Sequence, residues 1–154
     1  MINSLIKKSL TQNSELYMNV ALMAQRFDIP GQLVTVMPFG DGNVNDTYLA
    51  IFRTTFSEER FIIQRINSNV FANPKEIMSN MRVITEHVHR RLEDEIHLSD
   101  RIWQLPRIVE TKDGEDYTVD GNGSVWRGIS YIHSAQAFEK IQSLDHAHEA
   151  GMVL

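Results

Sequence analysis

A chain of 154 residues is long enough for one domain with a real core, and its apolar and charged fractions are those of a globular protein. A formal charge of −5 argues against a nucleic-acid groove, because phosphate backbones select basic surfaces. No apolar run approaches the roughly 20 residues of a membrane span, no signal-peptide pattern opens the chain, and zero cysteines exclude disulfide frameworks and thiolate metal sites, so a cytoplasmic protein with no membrane partner is expected.

Residues 1–15 read as a polar N-terminal extension. From Ser14, a plausible N-cap, the positions Leu16, Val20, Met23 and Phe27 recur at helical spacing, and Pro30-Gly31 stops that helix. Three strands are predicted next, at about 33–39, 46–54 and 60–66. Their links are too short for parallel crossovers, which makes them an antiparallel meander.

Between the first two strands lies Phe39-Gly40-Asp41-Gly42-Asn43-Val44-Asn45-Asp46-Thr47. Strand, glycine turn, strand is a geometry in which backbone N–H groups fold over an anion, since glycine accepts positive φ and leaves no Cβ in the way. The same residue types also build an ordinary hairpin loop.

The period then changes. Asn73-Pro74-Lys75-Glu76 reads as a capping box opening a helix from about 74 to 94, with Ile77, Met81, Ile84, Val88 and Leu92 on one face. After Pro106, residues 107–111 and 116–119 read as a hairpin around Asp113-Gly114, and a second turn at 120–123 leads into a strand over 124–132. A last helix is predicted over about 135–150, with Phe138, Ile141, Leu144 and Ala147 inward. The apolar finish Gly151-Met152-Val153-Leu154 reads as a cut. Trp103 and Trp126 are expected in the core or at an interface. His87 and His89, like His146 and His148, stand two apart on presumed helices and share no face, so no metal site is assigned to them.

The linked segments Gly40 to Tyr48, Phe61-Ile62-Ile63-Gln64-Arg65-Ile66-Asn67, Asn69-Val70-Phe71 with Pro74, and Trp126-Arg127-Gly128-Ile129-Ser130-Tyr131-Ile132 resemble the aminoglycoside-phosphotransferase-like small-molecule kinases. Within them the match is to the N-acetylhexosamine 1-kinase-like branch, and it covers the front half of such an enzyme. The resemblance implies an α+β, protein-kinase-like N-terminal lobe: a five-stranded antiparallel sheet, one long packed helix, an N-terminal helix, and a C-terminal helix after the hinge. It divides the chain into a small ATP-binding lobe at 16–132 and, at 133–154, the hinge and first helix of a truncated large lobe.

For the site it implies ATP phosphates under Gly40, Gly42, Asn43, Asn45 and Thr47, and adenine against the hinge backbone at Ser130, Tyr131 and Ile132. The third strand of such kinases supplies a lysine held by a helix glutamate. Here alignment favours Gln64 for that place and chemistry favours Arg65, a permanent cation with a fork of donors; both stay open. Glu76 is the partner glutamate by position, with Glu86 in reserve, and Glu76 also reads simply as a capping-box residue. The catalytic aspartate and the Mg²⁺ ligands of the family lie beyond residue 154, so no catalytic residue and no turnover are expected of this piece alone. The whole enzyme would pass the ATP γ-phosphate to a hydroxyl of an N-acetylhexosamine. The lobe interface left bare invites self-association. The alternative is a non-catalytic α+β binding or regulatory module of the same architecture.

Overall fold

The computed structural model describes residues 14–40, 42, 44–95, 103–136, 138 and 140–152, with the side chains of 94 and 95 excepted. In chain order it comprises helix α1 (residues 14–24), strands β1 (Gln32–Pro38), β2 (Asp46–Arg53) and β3 (Glu58–Arg65), helix α2 (Pro74–Glu95), strands β4 (Ile108–Val109), β5 (Thr118–Val119) and β6 (Val125–Ser130), and helix α3 (Leu144–Gly151). The fold is α+β, with one antiparallel sheet ordered β1-β2-β3-β6-β4 and β5 also paired to β6.

The first three strands form the expected meander. Alternation carries them, because Tyr48, Ala50 and Phe52 of β2 and Phe61 and Ile63 of β3, each two apart, face one layer. That layer is the core: Tyr48, Ala50, Phe52, Ile63 and Trp126 pack against Val20, Met23 and Ala24 of α1 and Phe27 and Ile29 just after it. Trp126 is fully buried, a contribution on the order of 2–3 kcal/mol for a side chain of this size. Gly128 lets β6 approach that core, since a Cβ there would stand 2.9 Å from the buried Phe27 ring. Gly31, at φ +94°, makes the turn into β1, and any Cβ on it would strike the Arg53 carbonyl.

Six strands stand where five were expected. The 107–119 segment does not pair with itself; β4 and β5 follow one another along the same edge of β6, through Ile108↔Ile129 and Val109↔Gly128, then Thr118↔Trp126 and Val119↔Val125. The turn itself forms, with the Thr111 N–H donating to the Glu115 carbonyl at 2.8 Å. The diversion comes from β6, which takes the edge that a hairpin ladder would need: the Ser130 N–H donates to Arg107 O and Val109 pairs with Gly128. Residues 26–28 hold the other edge, the Asp28 N–H donating to Glu110 O and the Lys112 N–H to Arg26 O.

Helices depart from expectation in detail. Ser14, expected as the N-cap, is itself helical, and residues 1–13 of the expected extension lie outside the described residues. On α2, Ile77, Met81, Val88 and Leu92 are half-buried as expected, but Ile84 is exposed and the fully buried positions are Met78 and Thr85. Thr85 tolerates burial by donating its hydroxyl to the Met81 carbonyl at 2.8 Å. The last helix starts at Leu144, not near 135, because Ser143 caps it through an acceptor bond from the His146 N–H. Phe138, Ile141, Leu144 and Ala147 are exposed, since no described element packs over them. Trp103 is also exposed, leaving Trp126 as the core tryptophan. No helix among the described residues is long and apolar enough to cross a membrane.

Candidate functional site

Beyond Pro38 the chain leaves the sheet in a loop closed by the Phe39 N–H, which donates to the Thr47 carbonyl at 2.9 Å. Gly40 takes φ +75° there, a conformation that side chains with a Cβ resist. At both Gly40 and Gly42 the direction of a Cβ is open space, so the main chain is approachable from that side. Asn43 lies outside the described residues. Asn45 serves as a clamp, its Oδ1 accepting the Asn67 N–H at 3.0 Å and fastening the loop to the segment after β3.

Strand register sorts the remaining candidates by face. One face carries Tyr48, Ile63 and Trp126 against α1. The other turns toward α2 and presents two rows that run across the strands. The apolar row is Met37, Leu49, Ile62, Ile129 and Ile108, each paired with the next. Two residues further along the strands comes a polar row, Thr47, Gln64 and Arg127. The side chains of this polar row are joined: Arg127 Nε donates to Gln64 Oε1 at 2.9 Å, and Gln64 Nε2 donates to Thr47 Oγ1 at 2.9 Å. Arg127 Nη1 lies 3.2 Å from Met81 Sδ of α2, which fixes this face as the helix-facing one. Burial among neutral groups pulls the Arg127 pKa below its ordinary value.

Gln64 and Arg65 therefore point to opposite faces. Arg65 lies on the α1 side, where its Nε donates to Asp46 Oδ2 at 2.8 Å and its guanidinium stands over the Trp126 ring at 5.9 Å. A cavity of about 360 Å³ opens beside this pair, lined by Gly42, Asn45, Asp46, Arg65, Asn67 and Ser124. It is polar but already charge-balanced by the Arg65–Asp46 bridge. Glu76, in the first turn of α2, is exposed and meets neither Gln64 nor Arg65. Glu86 is engaged elsewhere, with Arg82 Nη1 at 3.3 Å.

At the end of β6 the Ser130 N–H donates to Arg107 O and the Ser130 hydroxyl accepts the Arg107 N–H, each at 2.9 Å. That bond takes the Ser130 N–H, whereas none of the described turn and loop bonds engages the main chain of Tyr131 or Ile132. The loop after β1 and the segment after β6 come together: the Phe39 and Tyr131 rings meet edge-on at 5.8 Å. His133 continues this line, its ring 5.1 Å from Tyr131.

Arg127 is the residue that sequence reasoning missed. It lies within a segment quoted for its likeness to a kinase hinge strand, but only the β3–β6 register sets it opposite Gln64. No protein-family model matches this chain.

Proposed function

We propose that this chain is the nucleotide-binding lobe of a small-molecule kinase, with ATP lying along the α2-facing side of the sheet. The carrying observation is the Phe39–Tyr131 contact. Phe39 follows β1 and Tyr131 follows β6, two strands that β2 and β3 separate, so the meeting of their rings brings the glycine loop and the segment after β6 together over one apolar row, Met37 to Ile129. An adenine nucleotide has that same division, a flat base at one end and an anion at the other. The main chain around Gly40, Gly42 and Thr47 would take the phosphates, and that of Tyr131 and Ile132 the base, through one donor and one acceptor.

Transfer of the γ-phosphate to an N-acetylhexosamine hydroxyl belongs to this proposal through the likeness of the loop and of the Gln64-Arg65-Ile66-Asn67 strand. Phosphoryl transfer needs a positioned base and Mg²⁺. Among the described residues no three acidic or histidine side chains converge, so these residues do not fit a metal site and no step is assigned to the metal here. The purified 154-residue chain is expected to bind nucleotide without turning it over.

The neutral Gln64 in the place of a strand cation favours a second reading, a non-catalytic α+β binding module. Hydrogen exchange with and without ATP–Mg²⁺ separates the two. Slowed exchange at the 40–47 amides and at Tyr131 and Ile132 supports the nucleotide lobe; unchanged exchange at both places favours the module.

A further inference from the structure

Several arginines of this chain are neutralised by carboxylates. Arg53 pairs with Glu58, Arg65 with Asp46, Arg82 with Asp116, Glu110 and Glu86, and Arg107 with Glu93. Arg127 departs from this. It is half-buried, and among the described residues its partners are the neutral Gln64 Oε1 and the Met81 sulfur, a weak acceptor. Its Nη2 has no partner among them. A charge drawn out of water in this way is costly unless an anion or strong acceptors complete it.

We propose that Arg127 is the polyphosphate-binding cation of this chain, reaching from β6 to the position that a third-strand lysine leaves vacant at Gln64. The assignment rests on the nucleotide reading for its ligand, though the anion site itself does not need a base. Three features support it. Arg127 stands on the same row as Thr47, whose carbonyl holds the Phe39 N–H and so anchors the loop. That places it two strand spacings from the loop-bearing strand, about 10 Å, a gap that an arginine side chain and a phosphate together span. The Thr47–Gln64–Arg127 chain of hydrogen bonds fixes the plane of the guanidinium, and a fixed fork suits bidentate contact with phosphate oxygens.

Other cations fit less well. Arg65 is on the opposite face with its charge met by Asp46. Arg60 shares the face of Arg127 but is exposed, two rows away, and lies over Tyr131 at the hinge end.

The test titrates inorganic tripolyphosphate and ATP, without metal, into the wild-type chain, Arg127→Met, Arg127→Lys and Arg65→Met, with circular dichroism to confirm folding. Tripolyphosphate is expected to bind the wild type and Arg65→Met alike, with affinity at least about tenfold lower in Arg127→Met and partly restored in Arg127→Lys. The ¹⁵N–¹H Nε resonance of Arg127 in the wild type should shift on adding tripolyphosphate, a readout independent of any variant. Undiminished binding in folded Arg127→Met, loss in Arg65→Met, or an Nε resonance that does not move would overturn the assignment, as would a wild type that binds neither probe. If tripolyphosphate binds through Arg127 and ATP binds no tighter, the cation stands and the nucleotide reading falls.

Discussion

Asp120 is the buried carboxylate on which α1 and β6 converge. Its Oδ2 accepts the Trp126 Nε1–H at 2.9 Å and the Asn19 amide at 3.2 Å, while Oδ1 accepts the Asn122 and Ser124 N–H groups. Burial alone would raise its pKa; the hydrogen bonds, that of Trp126 foremost, outweigh burial and hold it below the ordinary value. Asp120→Ala strands the fully buried indole N–H, and urea unfolding should show a loss of about 2–3 kcal/mol. The pH dependence has a definite sign. A depressed folded pKa means the charged form favours folding, so the contribution is complete above the unfolded value, about 3.9, and is lost as pH falls through the lower folded value. The stability gap between wild type and Asp120→Asn should therefore close in acid and stay constant above about pH 5. None of this was legible in Asp120-Gly121-Asn122-Gly123, which announces a turn and not the tryptophan waiting beneath it. Asn45 teaches the same lesson at the site: the resemblance implied a phosphate contact for it, and its side-chain oxygen is spent on the Asn67 N–H.

At the scale of elements, the period of the pattern was the reliable signal and the choice of face was not. Alternation placed β1 to β3 within two residues, and the 3.6-residue repeat placed α2 almost to its ends. Hydrophobicity then misjudged which α2 residues turn inward, because Thr85 satisfies its hydroxyl locally and Arg82 answers acids on the neighbouring links. Arg82 ties α2 to the segment between β4 and β5 through Asp116 and Glu110. The bridges are partly solvated, so their removal has a modest cost. Arg82→Met is expected to lower global stability by roughly 1 kcal/mol. Amide exchange should reveal more than the melting curve: α2 amides should exchange faster while β2 and β3 amides keep their protection, and added salt should narrow the difference from wild type. Uniform loss of protection across helix and sheet would mean that α2 and the sheet open as one unit, and unchanged α2 exchange would mean that packing alone holds the helix. For α3, apolar spacing at Phe138, Ile141 and Leu144 pointed to a helix beginning near 135, whereas the serine cap decides where it begins.

Across the whole molecule, one sheet divides two tasks. Its α1 face is closed by the apolar core, and its α2 face carries the apolar and polar rows over which the loop after β1 and the segment after β6 meet. The meander order made this division foreseeable, since short links place the glycine loop at one end of β1 and β2. The contact between Phe39 and Tyr131 was not foreseeable, because it depends on the curl of the sheet and on β6 lying beside β3. That contact is the only aromatic pair described between the loop and the segment after β6, and it joins two half-exposed rings, not core residues. Edge-to-face pairs of this kind are worth about 0.5–1.5 kcal/mol. Phe39→Ala should thus leave the melting transition close to wild type, within about 1 kcal/mol, while releasing the loop. The expected signature is faster exchange at Gly40, Gly42 and Val44–Asn45, and a changed Tyr131 ring environment by NMR, with β2 and β3 unaffected. Tyr131→Ala should reproduce the loop effect from the other side, and the double variant should add nothing further to it, because each single change already removes the shared contact. If the loop exchanges at the wild-type rate in both single variants, Asn45 and the Phe39–Thr47 bond alone hold it, and the loop and the segment after β6 move independently.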